Sequence, residues 1–172
     1  MFKNEFEFAI KNFQRLKVEC CEKNKGPIDL DPFVHVKVKN QYIGSPLVQI
    51  EENVYSSIIN VCKHIVSTFG TPELIIFLTE GYCKTSNSIE DYQRGELEED
   101  YKNNPLSDVS EALVINGVDI YTGIFGSCFI NFTYDDFGMP NLSKPMIDYA
   151  KNPKIGGNIF DALSYIRNSL VS

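Results

Sequence analysis

Apolar residues recur along the start of the chain at three- and four-residue steps: Phe2, Phe6, Ala9, Ile10, Phe13, Leu16 and Cys20. This spacing predicts an amphipathic helix over 2–22 that ends before Gly26-Pro27 and packs its stripe on a sheet. From Phe33 to Lys39 the period changes to two. Val34, Val36 and Val38 fall on one side and His35, Lys37 and Lys39 on the other, the pattern of a strand with one buried and one solvated face. Gly44-Ser45-Pro46 then reads as a break, and Leu47 to Ile50 as a short partner strand. Helical spacing returns with Val54, Ile58, Cys62, Ile65 and Phe69. Glu51 and Glu52 stand near its start, where the positive helix end favours them, and Gly70 and Pro72 close a helix over 52–69. His64 lies off that stripe and reads as solvated.

The most apolar run, Glu73 to Thr79, is the expected central strand. After it, Ser110 to Ile115 and Val118 to Thr122 flank Asn116-Gly117, a pair that between two apolar runs signals a two-residue hairpin. Cys128 to Tyr134 follows as a third antiparallel candidate. Tyr134 to Gly138 reads as a turn, and 139–158, with its prolines and Gly156-Gly157, as an irregular segment. Asn158 can cap a final helix over 158–170 whose Phe160, Leu163, Ile166 and Leu170 face the core. Residues 84–109 are polar and acidic without clear period, and read as a long insertion or lid with a short helix within 88–101. The fold class is α+β: a single domain over 1–172, with a mostly antiparallel sheet packed against about three helices.

Composition narrows the partners. A chain of 172 residues with a formal charge of −7 and no Lys/Arg run repels a phosphate backbone, so a nucleic-acid polymer is not expected as a partner. Neither a signal-peptide core nor an apolar run of membrane-spanning length is present, so the expectation is a cytoplasmic protein that does not engage a membrane. Five scattered cysteines read as reduced thiols and not as a disulfide framework. The vicinal pair Cys20-Cys21 sits at a helix C-terminus, which raises thiol pKa and argues against a redox switch.

Few residues carry recognisable chemistry. Asp136-Phe137-Gly138 matches the metal-binding triplet of protein kinases but lacks every accompanying motif, and reads as a turn. No phosphate loop, dinucleotide fingerprint or paired-cysteine zinc pattern occurs, and His35 and His64 do not suggest a shared metal, so neither metal nor cofactor is expected. No catalytic residue is assigned; Glu80 and Glu111 bracket the insertion and are the weak candidates for acid/base work or for holding a hard cation. Tyr82, Tyr92, Arg94, Tyr101 and Lys102 combine aromatic faces with cations, a set suited to clamping a small anionic ligand or to forming a protein-contact patch.

Glu80-Gly81-Tyr82, a polar insertion, then Asp108 to Val114 and an Asn-Gly pair resembles an uncharacterised family of small bacterial and phage-encoded proteins. In it a strand ending Glu-small-aromatic is followed by a polar loop and a Glu-Ala-apolar strand. The likeness covers about residues 72–130, with Gly81 and Tyr82 where Ala and Trp are more usual. It singles out Glu80, Tyr82 and Glu111 and implies a phage accessory protein that counters a host defence by binding a signal nucleotide or a defence protein, an analogy of pattern. The leading expectation is therefore a non-enzymatic protein that binds a small ligand or a host protein, an inhibitor or nucleotide-signal sponge. The alternatives are a hydrolase using Glu80 and Glu111, and a structural or homo-oligomer-forming module.

Overall fold

The computed structural model describes residues 2–47, 54–84, 96–104, 109–151 and 158–171. Its order is α1 (Phe2–Asn24), β1 (Phe33–Val38), β2 (Gln41–Pro46), α2 (Val54–Phe69), β3 (Leu74–Lys84), α3 (Glu96–Asn103), β4 (Val109–Asp119), β5 (Ile124–Tyr134), β6 (Pro140–Leu142), β7 (Met146–Lys151) and α4 (Asn158–Val171). All seven strands join one antiparallel sheet in the order β2-β1-β3-β4-β5-β6, with β7 also paired to β5. The α+β expectation is met, with three long helices and the short α3. Among the described residues no helix is long and apolar enough to cross a membrane.

Helices cover both faces of the sheet. On one, Val34, Val36, Ile75, Phe77 and Val118 pack against Ile58 and Cys62 of α2 and Leu163 and Ile166 of α4. On the other, Leu74, Ile76, Leu113, Ile115 and Ile130 receive Phe2, Phe6, Ile10 and Phe13 of α1. This is why β3 is apolar without alternation: both of its faces are buried. It also corrects the reading of β1, whose His35 and Lys37 were expected on a solvated face. That face lies under α1, and Lys37 is buried there because Glu5 of α1 and Glu73 meet its ammonium at 2.7 and 3.3 Å.

The α1 stripe also differs from expectation. The buried set continues from Phe13 to Lys17 and Cys21, while Leu16 is 46% exposed and Cys20 only half-buried. Four-residue steps carry the core face through a lysine that hydrophobicity alone excludes. The helix stops as expected, with Lys25 at φ 56° and the Gly26 N–H donating to the Cys21 carbonyl at 3.1 Å. In α2 the expected stripe holds for Ile58, Cys62 and Ile65, but Phe69 in its last turn is 46% exposed.

Turns show the sharpest corrections. Gly44-Ser45-Pro46 does not break the chain but forms the end of β2. The actual hairpin turn is Lys39-Asn40, both at positive φ. Gly44 has no room for a side chain because the Phe33 ring lies over it. Leu47 is buried beyond β2, and the partner strand expected over Leu47–Ile50 otherwise lies outside the described residues. Asn116-Gly117 is not a turn either: β4 runs straight through it to Asp119. The turn lies at 120–123, where Gly123 takes φ 68°, Asp119 Oδ1 accepts the Thr122 N–H at 2.8 Å, and Arg167 Nε of α4 donates to the Ile120 carbonyl at 3.1 Å. β5 consequently starts at Ile124, before the expected Cys128. Gly117 is present for a different reason. It pairs with Gly126 on β5, and a Cβ on either would stand 2.8–3.0 Å from the Phe6 ring, so the two glycines form the flat seat of that side chain.

The turn at Asp135–Gly138 is as read, with Asp135 Oδ1 accepting the Phe137 and Met139 N–H groups at 2.9 and 2.8 Å. The segment expected to be irregular after it instead contributes β6 and β7, whose backbone groups complete the β5 edge; 152–157 lie outside the described residues.

Gly126→Ala should therefore lower stability by about 1–3 kcal/mol in urea unfolding, as overpacking does. Pairing it with Phe6→Leu should cost less than the sum of the two single changes, because both act on one contact.

Candidate functional site

The sheet brings Glu80 and Glu111 together as the sequence suggested. β3 and β4 are antiparallel with Glu80 opposite Leu113 and Tyr82 opposite Glu111. Glu80, Tyr82 and Glu111 therefore lie on one sheet face, where with Asp29, Leu30 and Phe132 they line a recess of about 150 Å³. Of the other residues singled out, Lys102 is exposed on α3, which lies against β3 and β4. Tyr92 and Arg94 fall outside the described residues, as does the side chain of Tyr101.

Glu80 is not free for acid/base work. Its Oε2 accepts from Lys17 Nζ at 2.7 Å and its Oε1 from the Leu30 backbone N–H at 3.1 Å. Lys17 is fully buried; it also donates to the Ile28 carbonyl at 2.6 Å and lies over the Phe132 and Tyr134 rings, 4.6 and 5.4 Å from their centroids. Burial opposes the ammonium charge, but contact with Glu80 and Tyr134 outweighs it and raises the Lys17 pKa. At Glu80 burial leads: it lifts the carboxyl above its usual range although Lys17 and Leu30 pull the other way. The Tyr134 hydroxyl is buried without a hydrogen bond of good geometry, and its pKa is raised by burial against the lowering pull of the ammonium. This is a buried ion pair locking α1, the 28–30 segment and β3 together. Nothing in the apolar pattern marked Lys17. The available signal was its position four residues after Phe13 and four before Cys21.

A larger cavity, of about 400 Å³, opens between α1 and the β1–β2 hairpin. From α1 it takes Glu5, Phe8, Ala9, Asn12, Phe13 and Leu16, a second helical stripe beside the core one. This explains why Phe8 is 61% exposed and Leu16 46%: neither belongs to the face that packs on the sheet. The opposite wall is Phe33, His35 and Tyr42, with Ile76 and Leu78 as floor and Asp31 among the remaining lining residues. Tyr42 and Phe33 stand edge-on to His35 at 4.9 and 6.5 Å between centroids. The His35 Nε2 is buried without a partner, and burial lowers its pKa, so the ring is neutral near pH 7. Among the described residues no lining residue is Lys or Arg. Apolar spacing alone hides this cavity, because it puts Leu16 in the core and His35 in solvent.

Among the described residues no group of three or more His, Cys, Asp and Glu could hold a metal ion. Cys20, Cys21, Cys62 and Cys128 are free thiols, and burial pushes those of Cys62 and Cys128 up to about 12, which leaves them unreactive at neutral pH. The chain matches no family model, no curated protein and no solved structure.

Lys17→Met should cost about 3–5 kcal/mol, because it leaves Glu80 buried and unpaired, and adding Glu80→Met should restore most of it; urea titrations of the two variants decide this. The pH dependence has a definite sign. The folded pKa values of Lys17 and Lys37 both lie above 10.5, Lys37 chiefly through its hydrogen bond to Glu5. Their contribution is therefore full below 10.5 and fades as pH rises through the folded values. Buried tyrosines add to the alkaline loss, so the discriminating result is a shallower decline in the Lys17→Met/Glu80→Met protein than in the wild type.

Proposed function

We propose that this chain is a non-enzymatic binding protein that holds one small organic molecule in the cavity between α1 and the β1–β2 hairpin. The observation carrying this reading is the cavity itself: about 400 Å³, walled by Phe8, Phe13, Leu16, Phe33 and Tyr42, with a few polar groups at its edge. Volume and lining are those of a site for a small molecule with an apolar body. Packing alone does not account for Phe8 and Leu16, since removing either from water requires an occupant.

The hydrolytic alternative is weaker on chemical grounds. A general acid or base must be able to give or take a proton at the substrate, and both Glu80 oxygens are already engaged by Lys17 and Leu30. A nucleotide sponge, the role the resemblance implies, would have to use Tyr82, Arg94 and Lys102, because the cavity offers a phosphate no cation.

An environment-sensitive apolar dye should bind the protein saturably with one-to-one stoichiometry. Phe8 and Leu16 are largely solvent-facing, so the double variant Phe8→Ala/Leu16→Ala should lose only about 0.5–1 kcal/mol of stability while binding the dye roughly tenfold more weakly. Unsaturable binding, or equal affinity in the variant, removes this site.

A further inference from the structure

We infer that the occupant of this cavity is a hydrophobic amine, with its aliphatic or aromatic body against α1 and its ammonium at the mouth beside Asp31. The inference rests on the binding role proposed above and adds the sign of the ligand's charge.

Three features of the lining point to a cation. The first is Asp31: it lines the cavity, is exposed, and makes no ion pair among the described residues. The second is the group at Glu5. The Lys37 ammonium there is met by both Glu5 and Glu73, so three charges sum to −1 and the lysine has no positive charge left to offer an anion. The third is His35, among the described residues the one lining side chain that can become positive, which burial keeps toward its neutral form. Among the described residues the formal charges on lining side chains, Glu5 and Asp31, are thus both negative, and Arg15, which reaches the lining Asn12, is paired with Glu19, within a chain whose total is −7. A carboxylate or phosphate would enter against this field; an ammonium would enter with it.

The apolar part follows from the walls. Phe8, Ala9, Phe13 and Leu16 on one side and Ile76 and Leu78 below offer no donor or acceptor from their side chains. The negative faces of the Phe33 and Tyr42 rings, the latter already with Lys37 Nζ 6.0 Å from its centroid, attract a cation more than they attract a neutral head group. Their presence separates an amine from an alcohol of the same body.

The test compares three probes with one tail, octylamine, 1-octanol and octanoate, by displacement of the dye near pH 7.5. The expected order is amine, alcohol, carboxylate, with the amine at least about tenfold tighter than the alcohol. Asp31→Asn, a change at an exposed side chain, should leave the melting temperature and the alcohol affinity as they are and shrink the amine preference to about threefold or less. Alcohol or carboxylate binding as tightly as the amine, or an undiminished preference in Asp31→Asn, overturns the inference while leaving the cavity a binding site. Failure of all three probes together with failure of the dye overturns the binding role as well.

Discussion

The position of α1 on the sheet is set by two buried ion pairs. Lys37 of β1 reaches Glu5 in the first turns of the helix, and Lys17, twelve residues later, reaches Glu80 at the far part of β3. At 1.5 Å per residue the two contacts are about 18 Å apart along the axis. Phe2, Phe6, Ile10 and Phe13 supply the apolar attraction that holds the helix down. Apolar packing alone allows a helix to slide or roll. A buried ammonium that loses its carboxylate carries an uncompensated charge, and that cost excludes the displaced arrangements.

The pairs matter to the cavity as much as to the helix. Between them a cavity opens between α1 and the hairpin, lined by Phe8 and Leu16 on the helix and by Phe33 and Tyr42 on the strands. A helix free to roll would close that gap and bury both apolar walls. Anchored at Glu5 and Lys17, it cannot, and so a void of about 400 Å³ persists beside a closely packed core. The hairpin is held equally firmly: its Lys39-Asn40 turn fixes the register, and the Phe33 ring over Gly44 leaves no space for slippage.

Much of this architecture is legible in the sequence because periodicity reports burial directly. The helix of α1, the strand of β1, the unbroken apolar run of β3 and the stop before Gly26 each follow from a local rule and appear where expected, although the core faces of α1 and β1 take in residues the period leaves out. Most of the failures share a cause: a residue's own type points one way and a distant partner decides its place. Lys17 and Lys37 look like surface residues until Glu80 and Glu5 are brought to them. Asn116-Gly117 looks like a turn until Phe6 is laid across Gly117 and Gly126. Lys39-Asn40 carries none of the glycine that announces a hairpin turn, yet both residues take positive φ there. The recess at Glu80, Tyr82 and Glu111 was legible because it depends on strand pairing alone; that Glu80 is consumed by an ion pair was not, since Lys17 lies sixty-three residues away in the chain. The larger cavity was hidden for the same reason, being made by two elements whose relative placement those lysines determine.

The second stripe of α1 is what the folding argument leaves over. The core face is complete without Phe8 and Leu16, and the helix would present the same residues to the sheet if both were polar. Large apolar side chains at exposed positions invite association and lower solubility, so a sequence shaped by folding alone has reason to avoid them. Here they fall at the helical spacing that faces Phe33 and Tyr42, above a floor of Ile76 and Leu78, and among the described residues no Lys or Arg interrupts the lining. Scattered surface apolar residues need no explanation. Residues that converge on one void, from a helix and a hairpin each fixed by its own constraint, are explained by what the void receives.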